Sequence, residues 1–180
     1  MERNLAYVAL FAALIAVLTL VPAVTLPSGV PITAQSLGIM LCGTVLGSRL
    51  GGLAALLYVG LGVIGLPILS GGSGGFGVLA GPTAGFVLGF PVAAFVIGLV
   101  FETWRVQIGI SAFVAAILGG VVVLYAIGIV GLSVNAGLSL NKATLAMMAF
   151  VPGDLLKAAL AALITQGLAK ARPQALLSRA

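Results

Sequence analysis

The sequence predicts an all-α integral membrane protein: a bundle of six transmembrane helices with both termini in the cytoplasm. Three observations predict it. Of 180 residues, 62% are hydrophobic and only 6% are charged, against about 25% charged in a soluble domain. Such a chain cannot coat a globule with a solvated surface, and its mean hydropathy of +1.32 agrees. Six apolar runs follow one another, at 5–24, 34–47, 50–69, 83–101, 108–130 and 143–169. A bilayer core needs about 20 apolar residues per helix. The basic residues also alternate between the two sides of these runs, as set out below. The whole chain, 1–180, reads as one membrane domain without a linker.

The run at 5–24 is longer than the apolar region of a signal peptide and further spans follow it, so it reads as a retained helix. It carries Ala9/Ala13 and Ala12/Ala16. These two small-xxx-small pairs make a flat strip that another helix can approach, inside the bundle or on another subunit. The run at 34–47 is short for a span. Thr33 and Gln35 stand at its opening, and Tyr58 lies inside the run at 50–69. Each brings hydrogen-bonding capacity into apolar surroundings, for either a helix–helix bond or a ligand.

The runs at 83–101 and 108–130 are uninterrupted. The run at 143–169 contains Pro152-Gly-Asp154-Leu-Leu-Lys157. A spacing of three puts Asp154 and Lys157 on one helical face. A rise of 1.5 Å per residue sets them about 16 and about 21 Å from the outer start of that run, near mid-membrane. Charges there cost several kcal/mol unless paired or hydrated, and they default to a functional role. The alternative is a self-satisfied ion pair that only orients the helix. Pro152 should kink or restart the helix and free a carbonyl near residue 148.

With the N-terminus inside, Arg3, Arg49, Arg105, Lys170, Arg172 and Arg179 all fall on the cytoplasmic side and only Lys142 outside. That is the positive-inside bias. Two outer connections, at 25–33 and 70–82, carry no charge, as expected of loops that fold over a cavity or dip into the membrane. The second contains Gly72-x-Gly74-x-x-Gly77, but it joins membrane helices instead of a strand and a helix. A dinucleotide fold is therefore excluded, leaving a lid or a plain connector.

Absences narrow the function. There is no His, a single Cys (Cys42) and a single Asp. Metal centres, Ser-His catalysis and a two-Asp intramembrane protease lack their parts. No Gly-Lys dipeptide occurs, so there is no Walker A loop. Basic residues are scattered singly, which argues against nucleic acid. We expect no enzyme, no metal and no resident cofactor.

Four stretches together resemble the BioY family, the biotin-binding S components of energy-coupling-factor (ECF) transporters. They are Ala9-Leu-Phe-Ala-Ala-Leu-Ile-Ala16, Val30-Pro-Ile-Thr-Ala-Gln-Ser-Leu37, Gly71-Gly-Ser-Gly-Gly-Phe-Gly-Val-Leu-Ala-Gly-Pro-Thr-Ala-Gly-Phe86 and Pro152-Gly-Asp-Leu-Leu-Lys157. The resemblance implies a six-helix bundle, multi-pass in a bacterial or archaeal cell membrane, that binds biotin in a cavity open to the outside. It implies partners: a transmembrane coupling protein, docked on the strip of Ala9, Ala12, Ala13 and Ala16, and two ABC-type ATPases. On this reading the ligand residues are Asp154, Lys157, Ser73, Gly74, Gln35, Thr33, Tyr58 and Phe76, and biotin is transported solute. Lys157 would meet either the ureido carbonyl or the carboxylate. An S component for another vitamin and a non-transporting membrane scaffold are the alternatives.

Overall fold

The computed structural model describes residues 2–22, 24–25 and 30–179. It runs α1 (Glu2–Leu18), a short antiparallel hairpin of β1 (Val24–Thr25) and β2 (Pro31–Ile32), α2 (Gln35–Leu46), α3 (Ser48–Val63), α4 (Ala84–Thr103), α5 (Ile108–Ala136), α6 (Leu140–Met148) and α7 (Val151–Ala171). Single 3-10 turns lie between α3 and α4 and after α7. The helical fold class expected from the sequence is the fold observed. Within the uncharged connection at 25–33, residues 26–29 lie outside the described residues.

The helices bury small residues and expose large ones. Ala54, Ala55, Ala93, Ala94, Ala112, Ala115, Ala116, Ala158 and Ala161 are fully buried, while Leu53, Leu56, Leu88, Val122, Leu156 and Leu163 face outward. In water an apolar exterior this extensive would aggregate. Against lipid tails it costs nothing, and small residues inside let the helix backbones approach closely. At the α4–α5 crossing the approach is backbone to backbone: a Cβ on Gly131 would stand 2.4 Å from Gly85 Cα.

Two helices contain a π-helical turn: α2 ends in one at Cys42–Leu46, and α5 is interrupted by one at Leu118–Val123. Both wide turns pack on Ile97 of α4. A Cβ on Gly43 or on Gly119 would fall 2.6 and 2.3 Å from the Ile97 side chain. Glycine at those two points lets three helices meet around one isoleucine.

At one end of the bundle, Gly47 turns α2 into α3 with φ +85°. The freed N-terminus of α3 is held from α4. Ser48 N and Ser48 Oγ donate to the two oxygens of Glu102, at 2.7 and 2.8 Å. The C-terminal 3-10 turns fold back onto the same end. Ser178 Oγ donates to Thr44 O at 2.5 Å, and Arg179 donates to Ser111 Oγ at 2.7 Å, with its guanidinium 4.1 Å from the Phe101 ring centre.

The structure corrects several expected boundaries. By length and apolarity, α4 and α5 qualify as spans, and the α6–α7 pair qualifies if counted together; α2 and α3 are shorter apolar helices. The run at 5–24 is helical only to Leu18, and the run at 50–69 only to Val63, because Gly65 (φ +126°) and Pro67 end it. α5 outruns its expected end at Val130 and stops at Gly137, which supplies the left-handed C-cap. The run at 143–169 is no single helix: α6 and α7 meet at 56°. Pro152 sits in the first turn of α7, where its missing N–H has no partner to lose. The proline therefore starts a helix and does not kink one. Asp154 accordingly lies in the first turn of α7, not midway along a continuous helix.

Candidate functional site

Three helix segments supply polar side chains to one place. Gln35 and Ser36 occupy the first turn of α2, Asp154 and Lys157 the first two turns of α7, and Tyr125 follows the π turn of α5. The i, i+3 spacing read from the sequence holds: Lys157 Nζ donates to Asp154 Oδ1 at 2.8 Å. Two hydroxyls complete the cluster. Tyr125 OH donates to Asp154 Oδ2 at 2.6 Å, and Ser36 Oγ donates to Oδ1 at 3.1 Å while accepting from Lys157 Nζ at 3.0 Å. Asp154 is only 6% exposed. The helix N-terminus adds a positive end beside it, so the carboxylate is stabilised by three donors and a dipole.

This cluster forms one wall of a cavity, open at its mouth, whose remaining lining is mostly apolar: Val30, Leu69, Val78, Phe86, Val87, Phe90, Leu124 and Phe150. Thr33, Gln35, Ser70, Ser73 and Thr83 add polar groups. Apolar walls with a few convergent polar groups make a site for a small, mostly apolar molecule with a hydrogen-bonding edge. Uncommitted capacity remains. An ammonium has three protons, and two of Lys157's are engaged. Among the described residues, Asp154 Oδ2 accepts a single bond.

The sequence-derived candidates divide. Asp154, Lys157, Thr33, Gln35 and Ser73 line the cavity. Thr33 Oγ1 donates to Gln35 Oε1 at 3.2 Å. Gln35 Nε2 donates to Tyr58 OH, and Tyr58 OH donates to Ile68 O at 3.0 Å. Tyr58 is fully buried. Its hydroxyl ties the opening of α2 to the segment after α3 and does not line the cavity. Phe76 is 72% exposed and is not among the residues that line the cavity. Gly74 packs on backbone: a Cβ there would stand 2.3 Å from Leu66 O. Ser73 Oγ is engaged with Ser70 O at 2.8 Å. The alanine strip splits over two faces of α1. Ala12 is buried and Ala16 partly so, while Ala9 and Ala13 are exposed.

Sequence reasoning missed Ser36, Tyr125 and the three phenylalanines. For Tyr125 a signal existed, since a hydroxyl inside an apolar run needs a partner. Ser36 and the phenylalanines have none, because serine and phenylalanine are ordinary in membrane helices.

Comparison with known proteins decides the family. The sequence profile of the BioY family matches residues 2–174. The chain belongs to the BioY family. The biotin transporter BioY of Rhodobacter capsulatus is 51% identical, over 99% of this chain and all of that one. That of Rhizobium etli is 50% identical, over 90% of both chains. A solved S-component for biotin from an ECF-type ABC transporter superposes on this BioY chain with a TM-score of 0.88 at 30% identity, covering 94% of this chain and 92% of that one. The helical fold of this BioY family member is thus the S-component fold.

Proposed function

We propose that this BioY family member is the biotin-binding membrane subunit of an ECF-type uptake transporter. It takes biotin from the outside and delivers it to the cytoplasm with partner subunits that supply ATP hydrolysis. The observation that carries the reading is the Asp154–Lys157–Ser36–Tyr125 cluster set into an aromatic and aliphatic cavity, in a chain half identical to proteins named biotin transporters.

The chemistry of biotin fits that cavity. Its thioether ring and aliphatic chain suit the apolar walls. Its ureido group offers two N–H donors and one carbonyl acceptor. Asp154 and Lys157 neutralise each other at 2.8 Å, so their end of the cavity favours a neutral donor–acceptor group over an unpaired carboxylate. The ureido group therefore lies on the cluster, with one N–H donating to Asp154 Oδ2 and the carbonyl accepting the third Lys157 proton. The carboxylate lies away from it. Biotinamide, which lacks the charge but keeps a carbonyl acceptor, should bind within about tenfold of biotin, about 1.4 kcal/mol. A loss above about a hundredfold would place the carboxylate on Lys157 instead.

Six membrane crossings with both termini in the cytoplasm are part of this proposal. Supporting it, Arg49, Arg105 and Arg179 gather at the end where Ser48 meets Glu102 and Arg179 meets Trp104 O. That end carries the positive charge expected of the cytoplasmic face. The coupling protein docks on the exposed Ala9 and Ala13 face of α1, where small side chains allow close approach. Biotin uptake by cells lacking their own importer is the test. It should require this chain together with a coupling module and fall to background when Asp154 is replaced by Asn. Uptake indifferent to that replacement would remove the proposed site.

A further inference from the structure

The Gly-rich connection after α3 holds two serines, and they are not equivalent. Ser73 Oγ donates to Ser70 O at 2.8 Å, and the backbone clamps the pair: Leu69 N donates to Ser73 O and Gly72 N to Leu69 O, both at 3.0 Å. The turn is this tight because Gly71 and Gly72 take φ +69° and +72°, the left-handed region where side chains are disfavoured. Leu69 is buried beside it, and Tyr58 holds the preceding Ile68 carbonyl. Ser70 is thereby fixed on both sides. Ser70 lines the cavity, and its own hydroxyl is shut off from solvent and has no hydrogen-bond partner among the described residues. A buried hydroxyl left unpaired is costly, and most are satisfied.

We propose that Ser70 is a solute-binding residue whose hydroxyl donates to the carboxylate of the bound molecule. The inference rests on the biotin reading and deepens it. With the ureido carbonyl on Lys157, the carboxylate is the strong acceptor of biotin that still lacks a protein donor. Ser70 supplies one from the loop, a segment that Tyr58 ties to the opening of α2. A serine hydroxyl, unlike a second cation, marks the carboxylate end without demanding a full charge there.

The test is a double comparison by calorimetry on the purified full chain: wild type and Ser70→Ala, each with biotin and with biotinol, in which an alcohol replaces the carboxylate. Hydrogen bonds to charged groups are the strong ones. Ser70→Ala should therefore weaken biotin about tenfold and biotinol less than threefold, with the melting temperature of the ligand-free protein unchanged. Equal losses for both ligands, no loss for biotin, or a loss matched by a lower melting temperature would each overturn the contact. Wild-type protein that binds no biotin would overturn the function itself, and this contact with it.

Discussion

Asp154 accepts from Tyr125, Ser36 and Lys157 at 2.6, 3.1 and 2.8 Å, so each substitution in the cluster has a distinct consequence. Tyr125→Phe removes one donor to a charged acceptor while keeping the ring. It should weaken biotin binding about tenfold and leave the fold intact, read by calorimetry and thermal melting. Asp154→Asn leaves the Lys157 charge buried without its counter-ion, and breaking a buried pair costs about 3–5 kcal/mol. Both affinity and melting temperature should fall. Replacing Asp154 and Lys157 together by leucine should restore the melting temperature and still abolish binding. A double variant that retains binding would reduce the pair to a structural tie. The two charges were legible in the sequence because charge inside an apolar run stands out. Ser36 was not, since a serine gains meaning only from a partner 118 positions away.

At the scale of the element, glycine decides where helices touch. A Cβ on Gly131 would lie 2.4 Å from Gly85 Cα, whereas one on Gly60 would meet nothing within 4 Å. Gly131→Ala should therefore destabilise by about 1–3 kcal/mol through overpacking. Gly60→Ala should be neutral or slightly stabilising, because alanine is the better helix former. Paired melting curves in detergent check both. Hydropathy located the helices but not their interruptions. It runs unbroken through Ala149 and Phe150, so α6 and α7 read as one run, although they meet at 56°. The proline that marks the restart is identical in sequence to one that marks a kink. The π turns of α2 and α5 are equally silent, since the wide turn around Ile97 follows from packing and not from local propensity.

For the whole molecule, the two ends of the bundle are built differently. The cavity end holds the polar cluster. The other end is bound by Glu102 on the start of α3 and by the C-terminal turns on α2, α4 and α5. Truncation after Arg172 deletes the Ser178 and Arg179 contacts. It should lower the melting temperature while leaving biotin affinity within about threefold, and a large loss of affinity would show that the two ends are coupled. The helical fold class was legible from composition together with the succession of apolar runs, and the family from four short motifs. The candidate site was half legible: its charges from the sequence, its hydroxyls and aromatic walls only from the assembled helices. The most direct test of the account is biotin calorimetry on the purified chain in detergent, beside Asp154→Asn. One-to-one binding that is lost in the variant is the predicted result. A folded wild-type chain that binds no biotin, or a variant that binds as well as wild type, would contradict it.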